Sequence, residues 1–367
     1  NNFGSCILDH LDLLHQGRTH YLVSDPDALK QILVSRSFKY NRPYLDGPSR
    51  LLEKNVFRAN GKDHSRMRKL INPAFKVNNL KCMVDVFDKK ARLLAKYWDD
   101  SINAKSKNGG KTECCLCVQK DVARMTLDVL GECVFGYQFN ITEAGDTIIS
   151  RACTDTLSGV NPIRNIVTRK FFQWFPFLKY FMKSIIRREE AYKIISQVIN
   201  QITDDKRQER SNATTKRKDL LDLLLEAIDD ETGQGMDEEE LFAQVFLFLF
   251  AGHETSSVAL SWIFYFLAQH PDVQQKLRSE VKESLNGVEG TWETYESMKY
   301  LTAVVNESFR LRPPAPAYRR RVIQDDDILG YNIPVDSMIV MLPYALHRKP
   351  EFWSDPETFN PNRFLEP

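Results

Sequence analysis

The sequence predicts a mainly α protein, a helical bundle around one long central helix with a small β-sheet region, on three observations. Apolar residues recur at three- and four-residue spacing from Val84 to Trp98, from Val122 to Phe135 and from Arg188 to Asp205, the period of amphipathic helices. A longer run, Leu241 to Ala268, is apolar all round, which suits a helix buried at the centre of a large protein. After Thr291 the texture changes, and Asp325-Asp326-Asp327, Gly330 and Pro334 separate short runs such as Ser337 to Leu342, the pattern of a small sheet.

Local signals justify the elements in turn. Tyr21-Leu22-Val23 reads as a short strand, and Ser24-Asp25-Pro26-Asp27 as the capped entry to a helix over Ala28 to Val34. Asn103 to Thr112 and Glu209 to Lys218 are polar and read as loops. Asp237 caps the central helix, with Glu238, Glu239 and Glu240 in the first turn, where the helix dipole favours negative charge. A membrane span competes for this helix. Against it stands the interruption Ala251-Gly252-His253-Glu254-Thr255-Ser256-Ser257, because a mid-bilayer carboxylate costs roughly 2.5–3.5 kcal/mol. With no internal repeat or low-complexity run, residues 1–367 are expected to form a single domain.

Composition removes several function classes. Lys+Arg 50 against Asp+Glu 49 leaves a net charge of +1, which argues against a nucleic-acid partner. Of the seven cysteines only Cys114, Cys115 and Cys117 cluster, without the second Cys or His pair of a zinc site, so free thiols in a reducing compartment are expected. Gly109-Gly110-Lys111-Thr112 ends like a phosphate loop, but Lys105 stands where its first glycine belongs. There is no dinucleotide fingerprint. Asn140-Ile141-Thr142 and Asn212-Ala213-Thr214 match glycosylation sequons, a short pattern common by chance.

Four motifs carry chemistry. In the central helix, Gly252 removes a side chain at a cost of about 1 kcal/mol, which close approach of a ligand explains. Glu254 beside Thr255 supplies a proton source next to a hydroxyl that both donates and accepts, the parts of a proton relay; a helix kink with Thr255 bonded to its own backbone is the plainer reading. Glu307 and Arg310, three apart on a helix over Tyr300 to Leu311, can pair, and Arg312-Pro313-Pro314-Ala315-Pro316 stops that helix. His64 and Arg68, four apart, face one way, though Lys62, Arg66, Arg68 and Lys69 also read as a solvated basic face. Alternation in Arg319-Arg320-Arg321 sends Arg319 and Arg321 to one side of an extended strand.

The ordered set Ala251-Gly252-x-Glu254-Thr255, Glu307-x-x-Arg310, Tyr344-Ala345-Leu346-His347-Arg348, Phe352-Trp353 and Pro361-Asn362-Arg363-Phe364 resembles the cytochrome P-450 family, in its microsomal classes. The usual Pro-Glu-Arg-Phe appears here as Pro-Asn-Arg-Phe, with the arginine kept. The resemblance implies the P-450 fold and haem b as cofactor. It implies an ion triad of Glu307, Arg310 and Arg363 with a structural role. His64, Arg68 and Arg321 would meet the haem propionates, Arg321 being the best match among its three neighbours. Ala251 and Gly252 would lie against the ring, and Glu254 and Thr255 would deliver protons to the reacting oxygen. Phe248 and Ala251 would wall the substrate side, and Phe171-Phe172, Trp174-Phe175 and Phe177 are candidates for an access channel, with core packing as the alternative.

The resemblance further implies a monooxygenase that oxidises a small apolar substrate with dioxygen. Electrons would come from a separate NADPH-dependent P-450 reductase, at the cytosolic face of the endoplasmic reticulum membrane. None of the cysteines follows Cys153, so the haem-ligand cysteine is expected beyond Pro367 and the chain is read as a fragment truncated at both ends, inactive as it stands. A P-450-fold isomerase or dehydratase and a haem-free helical binding protein are the alternative functions.

Overall fold

A computed structural model describes residues 7–11, 19–43, 54–107, 115–157, 183–211 and 218–365. The aromatic run 171–177, Gly109 to Thr112, Cys114 and the sequon at Asn212 lie outside them. The principal helices are α1 (Pro26–Lys30), α2 (Gly61–Ile71), α3 (Val84–Lys107), α4 (Val118–Phe135), α5 (Ile148–Leu157), α6 (Lys183–Ser211), α7 (Leu220–Glu226), α8 (Glu238–Gln269), α9 (Pro271–Leu285) and α10 (Lys299–Leu311). The strands are β1 (Ile7–Leu11), β2 (Thr19–Val23), β3 (Tyr40–Asn41), β4 (Tyr318–Val322), β5 (Asp326–Ile328), β6 (Tyr331–Ile333) and β7 (Met338–Met341).

The helices expected from periodicity are present. α3, however, runs to Lys107 through a stretch expected as loop, because Ala104, Lys105 and Lys107 tolerate helix well. α6 likewise continues to Ser211. The caps are those the sequence signals: Asp25 accepts from the amides of Asp27 and Ala28, and Asp237 and Glu240 exchange side-chain-to-backbone hydrogen bonds at 2.7 and 3.1 Å. Among the described residues α8 is a helix long and apolar enough to cross a membrane. Leu241, Ala243, Val245, Phe246 and Leu249 on it are buried within the protein, the alternative for an all-round apolar helix.

The chain divides into two compact units. One comprises residues 1–53, 57–65 and 255–367 and contains the sheets; the other comprises residues 54–56 and 66–254 and is helical. In the first, a five-stranded sheet runs β1-β2-β7-β4-β3, with β2 and β7 parallel and the other pairs antiparallel. Val23, Ile32, Tyr40, Val322, Ile339 and Met341 form its core. Val273, Leu277, Tyr300, Val304, Leu311 and Phe359 join α9 and α10 in a second cluster.

In the helical unit, fully buried Asp128 of α4 accepts from the Ile141 amide and from both the amide and hydroxyl of Thr142. A carboxylate so satisfied ties a sharp corner to the helix. Lys206 of α6 pairs with Asp219 at the start of α7 at 2.6 Å.

Candidate active site

In the sheet-containing unit, β4 supplies the three consecutive arginines and the fold separates them. Arg319 is exposed. Arg321, the propionate candidate, pairs instead with Asp336, its Nε 2.7 Å from the carboxylate. Arg320 points to the opposite face; it is half-buried, and among the described residues it donates only to the Arg319 carbonyl, at 2.9 Å. Burial without a carboxylate depresses its pKa, as desolvation of a cation must.

Antiparallel pairing of Tyr40 with Val322 and Asn41 with Arg321 sets β3 beside β4, and Arg42 follows directly after β3. Arg42 is fixed there: its amide donates to Asn60 Oδ1 at 2.8 Å and its guanidinium to the Ala59 carbonyl at 2.8 Å. A further N–H reaches His64 Nε2 at 3.1 Å. An arginine can only donate, so His64 accepts at Nε2 and carries its own hydrogen on Nδ1. Arg42 and His64 are thus linked, and Arg320 lies on the neighbouring strand β4. Arg42 escaped the sequence reading because only its contacts with Ala59, Asn60 and His64 reveal it.

The Glu-x-x-Arg motif is buried rather than solvated, with Glu307 0% and Arg310 2% exposed. The Arg310 guanidinium meets Glu307 in a fork at 2.7 and 2.9 Å and donates to the carbonyls of His347, Pro356 and Thr358. Arg363 reaches Glu307 at 3.1 Å and the Asn360 amide does so at 2.8 Å. The ion triad therefore stitches α10 to the segment 347–363, far in sequence and structural in effect. Asn362 itself pairs with Lys276 at 2.9 Å, away from the triad.

α8 carries the remaining candidates. Ala251, Glu254 and Thr255 are exposed, and Ala251 and Thr255 lie one turn apart on a face of small side chains. Partial desolvation of the Glu254 carboxyl raises its pKa. In the helical unit, Phe248 makes an edge contact with Phe75, ring centroids 5.5 Å apart. Arg68 is exposed, with no ion pair among the described residues, unlike its neighbours Arg66 and Lys69, which pair with Glu240 and Glu231.

Gly252 departs from expectation. A Cβ there would sit 2.7 Å from Leu130 Cδ2, so the missing side chain makes room for α4, and helix packing accounts for the glycine without a ligand. His253, which drew no attention in the sequence, is 8% exposed and meets Thr126 of α4 at 3.1 Å.

α8 thus bears an acid beside an alcohol on an exposed face, and comparison with known proteins gives the family. The family model for Cytochrome P450 matches residues 9–367. The chain is 31% identical to Cytochrome P450 3A7 from Homo sapiens over 351 residues, 93% of this chain and 67% of that one. It is 29% identical to Cytochrome P450 4F8 from Homo sapiens, over 96% of this chain and 67% of that one. It therefore spans about two thirds of the length of these relatives. The solved structure of retinoic acid bound cyanobacterial CYP120A1 shares the fold, with a TM-score of 0.76 over 98% of this chain and 74% of that one at 22% identity. From its buried Glu307–Arg310–Arg363 triad to the family match over residues 9–367, the chain belongs to the cytochrome P450 family, whose members are haem-binding monooxygenases.

Proposed function

We propose that the protein inserts one oxygen atom of dioxygen into a small apolar substrate and reduces the other to water, with electrons from an NADPH-dependent reductase at the cytosolic face of the endoplasmic reticulum. The observation that carries this reading is the exposed α8 face, where a carboxyl with raised pKa adjoins a hydroxyl. Bound haem supplies the dioxygen chemistry. Arg42, His64 and Arg320 hold the propionates, and Arg68 is a further donor. Arg320 takes the role first given to Arg321, which Asp336 already neutralises. Ala251 offers a small side chain to the ring, whereas Gly252 serves packing.

Thr255 accepts a proton from one neighbour and donates to the next, as a hydroxyl can. Glu254 keeps its proton to higher pH than an ordinary carboxyl, which suits a donor. Phe248 and Ala251, two turns and one turn before Thr255, wall the substrate side.

The test is the full-length protein, reduced and exposed to carbon monoxide. A thiolate-type Soret shift is expected, and failure to take up haem favours a haem-free binding protein. Thr255→Ala should divert NADPH from product to hydrogen peroxide; unchanged coupling removes Thr255 from the mechanism and favours an isomerase or dehydratase, which needs no proton delivery.

A further inference from the structure

Immediately before Glu254 and Thr255, α4 grips α8 at two consecutive residues. Thr126 and Leu130 are four apart on α4 and share a face. Leu130 fills the notch at Gly252, where a Cβ would lie 2.7 Å from its Cδ2. Thr126 Oγ1 lies 3.0 Å from the Ala123 carbonyl, 3.1 Å from His253 Nδ1 and 3.3 Å from the His253 carbonyl. Thr126 is 5% and His253 8% exposed, so water does not compete for these groups. A hydroxyl has one hydrogen, and the nearest carbonyl, Ala123, takes it. His253 must then carry its own hydrogen on Nδ1 and donate it to Thr126. The ring is neutral at pH 7, because burial lowers its pKa to about 4.

The geometry points to Thr126, with Leu130, as positioning residues that set the rotation and height of α8 where it presents the acid and the alcohol. The inference rests on the proton-delivery reading of Glu254 and Thr255. Its physical basis is that α8 is apolar nearly all round, so apolar packing alone discriminates poorly among rotations of the helix. A slip of one residue turns a helix by about 100° and moves it about 1.5 Å, which would carry Thr255 off the face it shares with Ala251. A notch that accepts one leucine and a buried imidazole–hydroxyl pair each permit a single arrangement. Misplacement of reacting groups by about 1 Å can cost about a hundredfold in rate.

The experiment uses the full-length, haem-loaded protein with its reductase, 7-ethoxycoumarin as an apolar probe, and two readouts. The first is amide hydrogen exchange by mass spectrometry across residues 248–258; the second is product formed per NADPH consumed. Thr126→Val, which keeps shape and loses the hydroxyl, should raise exchange in that segment about tenfold and at least halve the coupling; Thr126→Ser should restore both. Leu130→Ala, which empties the notch and keeps the hydroxyl, is an independent variant expected to act in the same direction. Thr255→Ala should reduce coupling without raising exchange. Parental exchange in both Thr126→Val and Leu130→Ala overturns the clamp, as does raised exchange with unchanged coupling. Unchanged coupling in Thr255→Ala defeats the proton-delivery reading instead, while exchange still judges the clamp.

Discussion

Arg319, Arg320 and Arg321 are the same residue three times, and their partners make them different. Only Arg320 combines burial with the lack of a carboxylate among the described residues. His253 shows the complementary case, a base kept neutral by its surroundings. Its pKa falls from 6.5 in the open chain to about 4 in the fold. Between those pH values the unfolded chain binds a proton that the folded chain refuses, so stability is full above pH 6.5 and declines as pH falls toward 4, by about 3 kcal/mol in all. His253→Gln lacks this penalty, so its Tm should drop less than the parent's between pH 6.5 and pH 4. Parallel declines would show that His253 is not the titrating group.

At the scale of elements, caps and periods in the sequence locate α1, α8 and α10 well. The alternation of β4 correctly separates Arg320 from its neighbours, yet which side faces a ligand depends on β3 and β7, which no local pattern reveals. Gly252 illustrates the same limit: a helix glycine signals close approach, and the approaching group proves to be Leu130. Taken alone, the Glu307–Arg310 spacing is usually that of a solvated surface pair; the carbonyls that bury it come from residues 347–358. Burial changes its energetics. Removing Glu307 leaves buried cations uncompensated, so Glu307→Ala should destabilise by about 3–5 kcal/mol in denaturant titration. A loss under about 1 kcal/mol would return the pair to the solvated class.

At the scale of the whole molecule, the mainly α architecture with a small sheet was legible from three textures of the chain, and the family from the order of its motifs. The donor set was only half legible. His64 stands in a recognisable helix, whereas Arg42 enters through its contacts with Ala59, Asn60 and His64, just after β3, which pairs with β4 across most of the chain. Long-range pairing of this kind is fixed by the global fold and leaves little trace in local spacing.

On the proposed function, Arg320, half-buried on β4 with no carboxylate partner among the described residues, clasps a carboxylate of the cofactor. Transfer of haem from the full-length holoprotein to excess apomyoglobin measures that clasp directly. Loss of one charge-assisted hydrogen bond weighs about 1.5–3 kcal/mol, so Arg320→Gln should release haem roughly 10- to 100-fold faster, while Arg321→Gln, whose partner is Asp336, stays within about twofold of the parent. Parental release from Arg320→Gln, or faster release from Arg321→Gln, would contradict the account.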